Sequence, residues 1–240
     1  MYGKPTERET QMDLSADELA FAKGWYGYGR WQAPYWFVGI EPGGDDLDVL
    51  VPLWIDQGRD ELSDIIAHHE QHKVDWFSDD ARRPQKTWEK LIWLLLAYNG
   101  RDATPPAVLQ YQKDKLGRRE GDVALIELSA LPAIDNRVKR PRMLYRCERV
   151  SHIAARLREH RPDFVVFYSP DNGKERRYVD AWSAIAGAPL TRDVPVRIGQ
   201  TTCVVTRHPN GQWQKEYWVS LGKTLRNMMR FCRSTYAVEI

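Results

Sequence analysis

Four short apolar runs, Tyr35–Ile40, Val123–Leu128, Phe164–Tyr168 and Thr202–Thr206, are separated by longer stretches with helical periodicity. Runs that are continuous rather than alternating mark strands covered on both faces, and helices between them impose parallel crossovers. Helices are expected near Ala16–Lys23 with Ser15 as cap, and at Thr87–Tyr98 with Thr87 as cap and Asn99-Gly100 as the stop. Further helices are expected at Met143–His160, with Leu144, Val150, Ile153, Ala154 and Leu157 inward, at Tyr178–Ile185 and at Tyr217–Arg233. Residues 45–85 read as polar and mixed, with one helical patch near Glu61–His72. The fold class that follows is α/β, a three-layer α/β/α arrangement around a central four-stranded parallel sheet. No repeat or low-complexity linker divides the chain. Residues 1–240 are therefore expected to form one domain, with 1–30 as an N-terminal helical extension closed by a Gly/aromatic turn at Trp25–Trp31.

Composition narrows the function classes. The net charge is only +2, yet residues 1–60 are acidic. Arg137, Lys139, Arg140, Arg142, Arg146, Arg149, Arg156, Arg158 and Arg161 crowd one segment, against Glu148 and Glu159. Such a segment fits a local polyanion site, and a solvated Arg-rich helix face fits it equally well. Cys147, Cys203 and Cys232 are odd in number and far apart, which argues against a disulfide framework and a Cys-based metal site. The longest apolar stretch, Leu91–Tyr98, is too short to span a bilayer, and no signal peptide is recognisable. A cytoplasmic protein without a membrane partner is the expectation.

Ligands of parallel sheets bind outside the carboxyl ends of the strands. Three of the four runs carry unusual residues there: Glu41 after the first, Glu127 near the end of the second and His208 after the fourth.

Around these residues the chain resembles a known family. Phe37-Val38-Gly39-Ile40-Glu41-Pro42-Gly43 resembles the first motif of the uracil-DNA glycosylase superfamily, Gly-x-(Asp/Asn/Ala)-Pro-(Gly/Tyr). Val204 to Gly211, containing His208-Pro209-Asn210, resembles the second, His-Pro-Ser with a short intercalating loop. Val123–Arg137 is similar in spacing to the strand and Pro-rich loop of the thermophilic members, and Arg83-Pro84-Gln85 to their Arg-Pro-Phe. The resemblance spans roughly residues 35–233 and implies a glycosylase-like fold, a DNA partner, no cofactor and no metal.

It also implies roles. Breaking a nucleotide's glycosidic bond builds positive charge on the sugar and negative charge on the base. Glu41 takes the place of the group that steadies the sugar cation and aligns water, and His208 that of the donor to the leaving base. The extruded base would meet Glu127, Gly39, Ile40, Gln85 and Trp88. Gly43, Gly44, Asn136, Arg137, Lys139, Arg140 and Arg142 would contact phosphates, continued by Arg146 and Arg149 on the next helix and by Lys174, Arg176 and Arg177. Asn210, Gln212 and Trp213 would enter the minor groove, with Gln212 or Trp213 as the wedge. No lysine stands where a Schiff base would form, so the expected enzyme is monofunctional, and it is expected to act as a monomer on single- or double-stranded DNA.

Departures from the pattern shape the substrate expectation. Glu41 stands where the family has Asp, Asn or Ala. Glu127 replaces an Asn that reads uracil, and a carboxylate, which only accepts, suits an amino-bearing base such as cytosine. Gln85 replaces a stacking Phe, leaving Trp88, Trp76 or Phe77 to stack. The cysteines of the iron–sulfur members are absent. The expected substrate is therefore a modified cytosine, such as glucosylated hydroxymethylcytosine of phage DNA, in an anti-phage role. Alternatives are a uracil or mismatch glycosylase and a non-catalytic DNA-binding module of the same fold. His68, His69, Glu70 and His72, or Asp45, Asp46 and Asp48, would suit a metal-dependent nuclease, but a polar helix face and a solvated acidic loop account for them better.

Overall fold

The computed structural model describes residues 14–43, 47–71, 76–78, 80–132, 145–169, 175–211 and 214–236, apart from the side chains of 71, 175–177 and 230–236. Its centre is the expected quartet of parallel strands, β2 (Tyr35–Gly39), β4 (Val123–Glu127), β5 (Phe164–Ser169) and β7 (Thr201–Arg207). The sheet is nonetheless seven-stranded, in the order β3-β1-β4-β2-β5-β7-β6, which corrects the four-stranded expectation. The additional strands are β1 (Gly27–Tyr28), β3 (Leu62–Ser63) and β6 (Val196–Ile198), too short to leave a periodic signature. β1 joins β4, and β6 joins β7, in antiparallel fashion. Gly27 is required in β1: at φ +132, a Cβ there would lie 2.0 Å from the Leu125 carbonyl oxygen.

The helices are α1 (Ala16–Gly24), α2 (Leu47–Asp56), α3 (Ile65–Gln71), α4 (Lys86–Tyr98), α5 (Pro105–Asp114), α6 (Arg146–His160), α7 (Glu175–Ala186) and α8 (Lys215–Tyr236). In α1 the capping box is complete, with Ser15 Oγ accepting from the Glu18 N–H and the Ser15 N–H donating to Glu18 Oε2. The cap of α4 is Gln85 rather than Thr87, with Oε1 accepting from the N–H groups of Thr87 (2.6 Å) and Trp88 (2.9 Å). Helices α2 and α5 have no counterpart in the sequence expectations. Pro52 inside α2 and Pro105-Pro106 at the start of α5 conceal them, although proline at a first turn costs no hydrogen bond. The patch at Glu61–His72 divides into β3 and α3, the latter started by Asp64 Oδ1 accepting from the Ile66 N–H.

The alternation of the strands sorts the core into two layers. Trp36, Val38, Ala124, Ile126, Val165, Phe167, Cys203 and Val205 face Ile153 and Leu157 of α6 and Trp182 of α7. Phe37, Val123, Leu125, Phe164, Val166, Tyr168 and Val204 face α4, α5 and α8, with Leu91, Leu95 and Trp218 fully buried. The protein is thus a mixed α/β fold with helices on both faces of a mostly parallel sheet. A third cluster packs Phe21 and Trp25 of α1's end on Leu50 and Trp54 of α2. Among the described residues no helix is long and apolar enough to cross a membrane.

Candidate active site

Strand register determines what meets at the carboxyl end of the sheet. Gly39 pairs with Glu127, and Val38 with Phe167, so Gly39, Glu127 and Tyr168 are level on three adjacent strands. Their side-chain positions point to the α4 face. Gly39 lets these two side chains close in over it: a Cβ there would lie 2.6 Å from both Glu127 Oε2 and the Tyr168 hydroxyl. The two side chains so admitted border a cavity of about 490 Å³, which Gly39 itself does not line. Glu41, Glu127, Tyr168 and His208 line it, with Ile40, Pro42, Gly43, Gln85, Trp88 and Asn210. Side chains from four chain-distant segments thus converge on a volume suited to a small organic group.

Backbone hydrogen bonds lock the two acid-bearing loops together. The Leu128 N–H donates to Gly39 O (2.9 Å) and the Ser129 N–H to Ile40 O (2.8 Å). Arg149, fully buried in α6, clamps the same corner. It donates to the carbonyls of Leu128 (2.8 Å), Glu127 (2.8 Å) and Ala22 (3.0 Å), and its guanidinium lies 4.1 Å from the Tyr26 ring centre. Arg149 is thus a structural clamp and not the phosphate contact expected from its place in the basic segment. Arg146 packs on the Tyr178 ring and Arg156 pairs with Glu61 and Glu159, so part of that segment serves the fold.

The electrostatics separate the site's groups. Burial, reinforced by the negative charge of Glu41 and partly offset by Arg149, pushes the Glu127 carboxyl up to about 8. At neutral pH Glu127 is therefore a neutral acid, with Oε2 buried and unpartnered among the described residues. His208 is lowered from its ordinary value by burial and by Lys90, which keeps it neutral. Its Nδ1 accepts from the Asn210 N–H (3.1 Å), so the ring proton sits on Nε2 as a donor. The ring stands edge-on to Tyr168, with centroids 5.4 Å apart.

Helix α4 holds the His208 loop. Lys90 Nζ donates to the carbonyls of Pro209 and Gly211, and Thr87 Oγ1 bonds Asn210 Oδ1. Gln85 lines the cavity, but its carbonyl oxygen is engaged in the α4 cap and its role is structural in that respect.

The opposite wall is aromatic. Trp88 lies edge-on to His69 and Trp76, 5.4 Å from each, with Phe77 at 5.6 Å and Tyr28 beyond. Of the three stacking candidates, Trp88 and Trp76 line the cavity, whereas Phe77 packs on Trp88 and is not among the lining residues. His68 and His69 are buried in the cluster rather than on a polar helix face, and His69 Nδ1 donates to Ile65 O (2.7 Å). Among the described residues no cluster of His, Cys, Asp and Glu could hold a metal.

Gly44, Asp45, Asp46, His72, Asn136, Arg137, Lys139, Arg140, Arg142, Lys174, Gln212 and Trp213, with the side chains of Arg176 and Arg177, lie outside the described residues. Tyr168, Lys90 and Thr87 were missed by sequence reasoning. Tyr168 reads as one more apolar strand residue, and only its register opposite Gly39 singles it out.

A scan against protein-family models finds no match for this chain, and a search of curated proteins finds none. The functional reading therefore rests on the site itself.

Proposed function

We propose that the protein is a monofunctional DNA glycosylase resembling the uracil-DNA glycosylase superfamily, which extrudes a base and hydrolyses its glycosidic bond to leave an abasic site. The observation that carries this reading is the meeting of Glu41, a neutral Glu127 and an Nε2-protonated His208 in one aromatic-walled cavity. Glu41 supplies negative charge for the sugar cation and aligns water. His208 Nε2–H donates to the oxygen on which the departing base gathers charge. Trp88 and its neighbours hold the base by its face. Lys90 is occupied by two loop carbonyls, which supports hydrolysis without a Schiff base.

The substrate reading follows from Glu127. As a neutral acid it offers one donor and one acceptor side by side. Its carbonyl can accept from the cytosine amino group while its hydroxyl donates to ring N3, which fits the modified cytosine of phage DNA and a defence role. The same pair turned over would accept from uracil N3–H and donate to O4. Protonation of Glu127 therefore favours uracil as a second substrate more than an ionised carboxylate would. Mass spectrometry of bases freed from oligonucleotides by the wild type and by Glu41→Gln tests the proposal. Release by the wild type alone supports it, whereas DNA binding without release by either points to a non-catalytic module.

A further inference from the structure

A second groove, of about 410 Å³, opens beside the cavity and shares Trp76, Gln85 and Asn210 with it. Its remaining lining is Arg83, Pro84, Lys86 and Lys90, with no acidic side chain. The groove thus contrasts with the cavity, which holds the Glu41 carboxylate and the neutral Glu127 acid. Arg83 and Lys86 lie on the rim, whereas Lys90 is spent on the carbonyls of Pro209 and Gly211. Trp76 is 37% exposed, one of three large apolar side chains so placed among the described residues. Its ring is braced by Trp88 and His69 behind it, so it is a supported surface and not a dangling side chain.

An exposed aromatic ring beside two cations, in a groove with no acidic side chain among its described lining residues, has the makings of a subsite for single-stranded nucleic acid. We propose that this groove binds the DNA nucleotide next to the extruded one, its base stacked on Trp76 and its phosphate held by Arg83 and Lys86. The inference rests on the glycosylase reading for the orientation of the strand, since Trp76 forms the partition between groove and cavity. A base stacked on Trp76 cannot also be paired within a duplex. Single-stranded DNA is therefore the preferred form.

The test uses the full chain carrying Glu41→Gln, so that binding is read without turnover. Fluorescence anisotropy compares a short single-stranded oligonucleotide with its duplex over a range of salt. The single strand is expected to bind about tenfold more tightly, and Trp76→Ala to weaken it about tenfold, in keeping with the worth of one base–aromatic stack. Trp76→Phe is expected to weaken it much less. Arg83→Glu with Lys86→Glu is expected to flatten the salt slope by about 1.4, the share of two phosphate-neutralising cations on a single strand. Circular dichroism establishes that each variant is folded, and Trp76→Phe with Arg83→Gln serves where another is not. Unchanged affinity and slope in folded variants, a duplex preference, or no DNA binding at all would overturn the proposal. The two readings fail separately. Base release with an inert groove refutes the groove alone, and groove-dependent binding without base release by the wild type refutes the glycosylase alone.

Discussion

Glu41 and Glu127 enter one cavity from the ends of adjacent parallel strands, and the charge of the first adds to burial in holding the second protonated up to about pH 8. This places a cost on the folded state that depends on pH. The folded protein keeps a proton on Glu127 that the unfolded chain, with an ordinary value of 4.5, has released. Folding thus takes up a proton between those values, and stability falls as pH rises from 4.5 to about 8. Glu127→Gln removes the titration and keeps the shape. Each tenfold change in a group's proton affinity on folding is worth about 1.4 kcal/mol. The variant should therefore melt about 10–20 °C above wild type at alkaline pH, on the order expected for a chain of this size. The gap should shrink in mild acid, and an equal gap at both ends of the range in scanning calorimetry would contradict the assignment.

Glu41→Gln keeps the size of the side chain and removes its charge. Single-turnover base release should fall by about 100-fold or more, the usual scale for losing one transition-state electrostatic partner. DNA affinity should change little. A second consequence is independent of activity: with the Glu41 charge gone, the Glu127 carboxyl should titrate lower in carbon-detected NMR.

His208 is neutral at neutral pH, with Nδ1 already accepting from Asn210. Protonation would break that bond and unseat the loop. Because its folded value lies below 6.5, activity should hold through pH 6.5 and fall only at lower pH. Stability should decline in the same direction, since the unfolded histidine takes up its proton first. His208→Ala should slow release by about 100-fold and abolish the histidine-dependent part of the acid limb in a pH–rate profile.

Arg149 satisfies the carbonyls of Ala22, Glu127 and Leu128 from a position inside the fold. Arg149→Met leaves them without that donor at about 1–3 kcal/mol each. The expected loss in chemical denaturation is about 3 kcal/mol or more on that scale, with base release impaired in step. Arg149→Lys cannot span all three and should rescue only part.

The four central strands were legible because burial on both faces leaves continuous apolar runs. The three edge strands were not, since two or three residues carry no period. Nor was α2, where Pro52 interrupts the pattern. Of the site, Glu41, Glu127, His208 and Trp88 were legible from their positions after or near strand ends and at a helix start. Tyr168 was not, because its importance lies in sharing a level with Gly39, and register is not written locally. The protonation of Glu127 was equally hidden, since it depends on burial and on the approach of Glu41. Arg149 was misread for a related reason: charge in a basic segment looks the same whether it faces solvent or three carbonyls.

Glycosylase activity is decided by incubating the protein with oligonucleotides carrying uracil, cytosine or glucosylated hydroxymethylcytosine at one position and quantifying free base and abasic sites. Release of the modified cytosine, with uracil a weaker substrate, is expected from the wild type and not from Glu41→Gln. Binding of all three oligonucleotides with no base released from any would contradict it.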